Sequence, residues 1–256
     1  MPRTWREGFD FYMVEFEDGP ASIMVDMAAA LHAPVPTHPA LLIVRMRMKR
    51  PQESGLRSAE EAQRLFVIED AVIAALRPLD GTFVGRVVRA GSSDLFFYLP
   101  AEVSRDSVEP QLRLASQEYP PVLSLENDPE WTSYFEILFP DRRDQQRMVN
   151  RRLCEQLQEQ GDRPGLARPI DHLALFPDEG SARAALEPLR AEGFQVDAPS
   201  PPPPHSGHQM WALGFHRSES PTHERMDEVT LQVLDLLEGT GAHYDGWSCA
   251  AVAGSA

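Results

Sequence analysis

The chain has 256 residues, enough for two domains of ordinary size, each with its own core. Its formal net charge is −15, from 39 acidic and 24 basic residues, and both halves share it: residues 1–140 carry 21 acids against 13 bases, and residues 141–256 carry 18 against 11. Clustered Lys and Arg for phosphate contacts are lacking, so direct nucleic-acid binding is disfavoured, and a basic protein partner suits the chain better. The bland reading of the same acidity is solubility alone. Two cysteines, Cys154 and Cys249, form no spaced motif and predict neither a disulfide framework nor a Cys-based zinc site. The first residues are charged and show no apolar signal region, and no apolar run reaches membrane-spanning length. The expected location is the cytoplasm, without membrane attachment.

In chain order, residues 9–17 (FDFYMVEFE) and 21–27 (ASIMVDM) read as a hairpin across DGP, and residues 40–49 as a third strand. Ser58 with Glu61 is a capping box, and Leu65, Ile68, Val72 and Leu76 recur at helical spacing. TFVGRVVRAG and DLFFYLP pair across GSS, a weaker helix covers about 104–116, and PVLSLEN and SYFEILFP are one or two closing strands. From residue 40 the order is β-α-β-β-α-β, that of a ferredoxin-like unit.

Pro140 ends this half. Residues 141–162 form a polar connecting or flanking helix with a narrow stripe of Val149, Leu153 and Leu157. The second half repeats the grammar. RPIDHLALFP is a strand, and a helix follows with Asp178 as N-cap and Gly193 past its end. FQV is a short strand, and a proline run at 201–204 makes a stiff hairpin tip, with a polyproline ligand as the other reading. QMWALGFHR is a strand, then comes a helix with Ser220 as N-cap, Pro221 at its first position and Met226, Val229, Val233, Leu236 and Leu237 inward, and AHYDGWSCAAV closes the unit. The expected fold class is α+β: two ferredoxin-like βαββαβ units with antiparallel sheets, joined by a helix. Their expected bounds are 1–140 and 141–256.

RPIDHLALF, the EGFQV helix exit, the helix 221–238 and HYDGW occur in that order over roughly residues 141–253, and in this the second half resembles the regulator of ribonuclease activity B family. That resemblance implies a small acidic cytoplasmic protein of ferredoxin-like fold that binds ribonuclease E, reduces its RNA-cleaving activity and is not itself an enzyme. The first half, over about residues 5–140, is similar to a bacterial domain of unknown function often found ahead of that family. FDFYMVEFEDGPASIMVDM, LFVIEDAVIAAL, FVGRVVRAGSSDLFFY and EWTSYFEILFP carry this second likeness, which implies no activity.

Catalytic and metal readings are weaker. His172, His216 and His243 lie on predicted strands of one sheet, but the guessed register sets His216 and His243 each about 10 Å along from His172, too far to share an ion. A His–Asp pair of His172 and Asp245 is conceivable, yet no nucleophile motif accompanies it, and Cys249 reads as buried. No phosphate-binding glycine loop occurs, and the aromatics Phe96, Phe97 and Tyr98 lack the flanking bases of an RNA-binding sheet. Tyr244 and Trp247 fall on opposite faces of an ideal strand, so one is expected in the core and one outside. No cofactor, metal or catalytic residue is expected. The expected contacts to a basic protein partner are Asp171, His172, Glu219, Asp227, Glu228, Asp245 and Trp247. The alternative is an interaction module with a different target, its specificity set by the first domain. A small-molecule-binding or hydrolytic enzyme is the remaining reading.

Overall fold

The computed structural model describes residues 5–202 and 210–252. The chain divides into two compact units, one running to Asp141 and the other starting at Arg142. Both are mixed α+β with antiparallel sheets. Prolines 203 and 204 of the expected hairpin tip lie outside the described residues.

In the first unit, β1 (Phe9–Phe16) and β2 (Gly19–Asp26) form the expected hairpin. β3 (Ala40–Arg47), α1 (Ala59–Leu76), β4 (Thr82–Arg89), β5 (Ser92–Leu99), α2 (Arg105–Ala115) and β6 (Val122–Asn127) follow. The sheet order is β1-β2-β4-β5-β3-β6. Counted from β3, the unit's own four strands therefore lie in the order 4-1-3-2, and the β1–β2 hairpin extends that sheet at its β4 edge. Leu65, Ile68, Val72 and Leu76 of α1 and Val108 and Leu112 of α2 pack with Leu42, Val44, Leu95 and Phe97 in one core. The expected capping box is half formed. Ser58 Oγ accepts from Glu61 N, but the Glu61 carboxylate turns away to accept the amides of Lys49 and Arg50 at the exit of β3.

Two expectations for this unit fail for identifiable reasons. The second hairpin turns on Ala90 and Gly91, both at positive φ (46° and 72°), rather than on GSS, whose serines already belong to β5. SYFEILFP is not a strand: Tyr134–Leu138 is a π-helical turn. The buried Asp128 carboxylate accepts the amides of Thr132 and Ser133, along with the Tyr98 hydroxyl at 2.7 Å, which coils the chain locally. Trp131 then stacks on Tyr98 at 3.9 Å and donates its indole N–H to His38 O. The aromatic residues that suggested a strand are instead the cover for the sheet face opposite α1 and α2.

The second unit begins with α3 (Arg142–Glu159), followed by β7 (Arg168–Phe176), α4 (Glu179–Ala184), α5 (Leu186–Ala191), β8 (Gln195–Val196), β9 (Trp211–Glu219), α6 (His223–Leu236) and β10 (His243–Ser248). The sheet order is β10-β7-β9-β8, again 4-1-3-2, with each neighbour antiparallel. The single expected helix after Asp178 is two short ones meeting at Ala185, with Asp178 capping the first as expected. α6 starts two residues later than expected: Thr222, not Ser220, is the N-cap and accepts from Arg225 N. All the helices of this unit lie on one side. Ala174, Phe176, Leu213, Phe215 and Tyr244 of the sheet meet Ala182, Leu189, Val229, Val233 and Leu237 of α4, α5 and α6.

α3 packs on α6, and two residues of the expected apolar stripe, Leu153 and Leu157, join that contact by packing on the cluster that holds Met226. Val149, Leu153 and Leu157 are only half-buried, whereas Gln146, Asn150 and Cys154 are buried. Cys154 sits with Ile170, Met226 and Trp247 in a small second cluster. Cys249, expected inside, is partly exposed.

Candidate functional site

Among the described residues, strand alternation leaves one face of the second sheet without a covering layer. Along β7 the buried residues are Arg168, Ile170, His172, Ala174 and Phe176, and the alternate positions Pro169, Asp171 and Leu173 are exposed. Register places Asp171 opposite His216 of β9, Leu173 opposite Gly214 and Leu175 opposite Ala212. On the other side β10 sets Ser248 beside Asp171 and His243 beside Leu175. A Cβ on Gly214 would lie 2.7 Å from Asp197 Oδ2, so the Asp197 carboxylate rests against the middle of this face. Asp171, Asp197 and Asp245 are all exposed, and Leu173 adds an exposed apolar contact. No ionic or hydrogen-bond partner of the Asp171 or Asp245 carboxylate occurs among the described residues.

The closing strand corrects the expectation for its aromatics. Tyr244 pairs with Ala174 and Trp247 with His172, although three residues separate them, because the register shifts between Tyr244 and Gly246 and leaves Asp245 as the extra residue. Gly246 sits at φ +122°, a conformation open in practice to glycine alone. The bulge turns both Tyr244 and Trp247 to the core, at 6% and 7% exposure. Asp245 is displayed at its crest.

The seven expected contact residues therefore separate. Asp171 and Asp245 share the open face. His172, Trp247 and Glu219, expected as contacts, are buried. His172 is stacked on Phe215 with ring centroids 5.2 Å apart, and its Nδ1 is 2.7 Å from the Tyr244 hydroxyl. Burial, with the Arg217 charge adding to it against Glu219, pushes the imidazole pKa down to about 4, so the ring is neutral at physiological pH. The same burial raises the Tyr244 hydroxyl far above its usual range. Glu219 accepts from Arg217 Nε at 2.6 Å and from Arg225 Nε at 2.7 Å. Burial pushes its pKa up, but the two guanidiniums outweigh that and hold it below the usual carboxylate range. Asp227 and Glu228 lie on α6, on the helical side of the sheet. Asp227 accepts from Asn150 Nδ2 at 2.7 Å, and Glu228 pairs with Arg225 at 2.8 Å.

Neither a hydrolytic pair nor a metal cluster is assembled here. His172 faces the core while Asp245, His216 and His243 belong to the other side of the sheet. Residue 172 pairs with Trp247 and Phe215, one and two positions from the register expected. Among the described residues, no group of three or more His, Cys, Asp or Glu side chains is placed to hold a metal ion, and no helix is long and apolar enough to cross a membrane. The face offers acidic charge and a small apolar patch, which is chemistry for binding. Reading only single motifs left Leu173 and Asp197 unnamed on this face and weighed His216 only as a metal ligand. The period-two alternation of RPIDHLALF was the signal for the first, whereas Asp197 comes from a loop whose path no pattern announces.

Comparison with known proteins agrees with both sequence resemblances. The model of a family of unknown function, DUF695, matches residues 7–139. That of Regulator of ribonuclease activity B matches residues 147–249. No curated protein matches the chain. Among solved structures, that of an unknown protein from Galdieria sulphuraria is similar, at 13% identity and a TM-score of 0.24, over 82% of this chain and 99% of the other.

Proposed function

This chain belongs to the DUF695 family of unknown function, and from that premise, with the second domain's match, we propose that it is a non-enzymatic protein regulator of RNA processing or decay. In this reading the domain from residue 141 is ferredoxin-like, as its 4-1-3-2 strand order supports, and binds a basic protein partner, ribonuclease E in the first instance. The observation that carries the reading is the match of residues 147–249 to Regulator of ribonuclease activity B. The docking face is the open side of the second sheet. Asp171 and Asp245 support it because their carboxylates have no ionic or hydrogen-bond partner among the described residues, whereas Asp227 and Glu228 are already engaged by Asn150 and Arg225. Exposed acids facing a basic partner add mostly to association rate and salt dependence, and Leu173 supplies apolar contact.

The test is retention of the purified chain on immobilised ribonuclease E at low and at physiological salt. The reading expects retention that weakens as salt rises, and weakens further when Asp171 and Asp245 are both replaced by Lys. Absence of retention at low salt would remove ribonuclease E as the partner.

A further inference from the structure

We infer that the first domain carries a binding site for a small amphipathic anion, a carboxylate or phosphate attached to an apolar body. The site is a cleft of about 380 Å³ on the sheet face opposite α1 and α2. It is independent of the second domain's proposed role.

The register of three strands builds it. At one end Ser92 of β5 stands between Arg47 of β3 and Arg89 of β4. One row on, Asp94 stands between Arg45 and Val87; in the next row Phe96 faces Ile43. Residues two apart on a strand share a face, so a guanidinium end grades into an apolar floor within three rows. Ile137 of the π-helical turn also lines the cleft beside that floor.

The charges do not cancel. Asp94 is used by Arg45, whose Nε lies 3.0 Å and 2.9 Å from its two oxygens. Asp18 is used by Arg89, with both oxygens 2.7 Å from Nη2, while that guanidinium also lies 4.4 Å from the Phe16 ring centroid. The third guanidinium, Arg47, is exposed and has no ion pair or hydrogen bond among the described residues. Three arginines against two acids leave a local positive charge inside a domain whose net charge is −8.

A planar guanidinium fork matches a carboxylate or a phosphate, and Arg keeps its charge at any physiological pH. A concave site of this volume, charged at one end and apolar at the other, can hold a small molecule by its polar head and its apolar body together. The domain's overall acidity repels anions at a distance, so the occupant needs the apolar body as well as the charge.

The test is calorimetric titration of the full chain at low salt with four probes: 3-phenylpropionate, phenyl phosphate, the neutral 3-phenylpropanamide and inorganic phosphate. The inference expects saturable binding of at least one of the two aromatic anions. The amide and inorganic phosphate should each bind at least about tenfold more weakly, the scale of one charge-assisted contact. Which aromatic anion binds tighter separates a carboxylate from a phosphate ligand. Arg47→Gln, which removes a guanidinium with no ion pair or hydrogen bond among the described residues, should weaken binding about tenfold, and Ile137→Ser should weaken it at the other end. Failure of both aromatic anions to bind saturably at millimolar concentration overturns the inference. So does equal binding of the amide or of inorganic phosphate, or unchanged affinity in both variants.

Discussion

Trp247 donates its indole N–H to Asn150 Oδ1 at 2.9 Å, and so ties the closing strand of the second sheet to the helix that opens the domain. Asn150 is fully buried, and its side chain is completely used. Oδ1 also accepts from Gln146 at 2.9 Å, and Nδ2 donates to Asp227 at 2.7 Å and to Thr230 at 2.8 Å. A polar network with every member satisfied fixes one docking of α3 where an apolar stripe would permit sliding. Asn150→Ala leaves the Trp247 indole N–H and the Gln146 amide short of an acceptor and the Asp227 carboxylate short of a donor. It should cost about 2–4 kcal/mol, at one to three per group stranded less what water recovers. Urea denaturation followed by hydrogen exchange in β10 and α6 checks this; a loss under about 0.5 kcal/mol would contradict it.

His172 makes the second domain's stability depend on pH. Its folded pKa is about 4 against an ordinary 6.5, so between those values the unfolded chain binds more protons than the folded one. Stability from this group is therefore fully present above pH 6.5 and is lost as pH falls towards 4. At about 1.4 kcal/mol per unit, the loss is on the order of 3 kcal/mol. An NMR titration of the His172 ring should show it neutral down to about pH 5. A midpoint near 6.5 would refute the account of its burial.

The first domain buries two arginines on one acid. Glu69 accepts from Arg86 Nη1 at 2.7 Å and from Arg57, with Ser93 alongside. Desolvation lowers the Arg57 pKa, an effect that the Glu69 charge opposes. Removing the shared acid leaves two uncompensated cations, so Glu69→Gln should cost about 3–5 kcal/mol. The readout is unit-specific: hydrogen exchange should rise in β4 and β5 and stay unchanged in β7 and β9.

The strand alternation and two of the three expected helix caps were readable in the sequence because they depend on neighbours a few residues apart. Asp178 and Ser58 are caps where the spacing placed them, and the four buried apolar residues of α1 are those its stripe named. What pattern reading missed depends on distant partners. SYFEILFP has strand composition, but Asp128 captures its amides and Tyr98 captures Trp131. α3 buries Gln146 and Asn150 alongside Met148 and Cys154 because α6 and Trp247 supply matching donors and acceptors, which no periodicity of α3 itself reveals. Of the candidate contacts, the exposure of Asp171 was legible from alternation. The burial of Trp247 and His172 was not, because a single bulge residue resets every later side chain of β10, and because an alternating strand does not say which of its faces is covered.

The proposed docking face makes a directional claim. Lys at both positions 171 and 245 should lower partner retention at low salt by about tenfold or more, while Lys at the engaged helix acid Glu228 should change it less than about threefold. The reverse ranking would move the interface to the helical layer.

The most direct test of the central claim is the rate of RNA cleavage by purified ribonuclease E as the full chain is added. The account predicts a dose-dependent fall in cleavage, reversed by salt and reduced by the Asp171→Lys, Asp245→Lys double variant. Cleavage unchanged at saturating chain, with the folded state verified in the same sample, would contradict it.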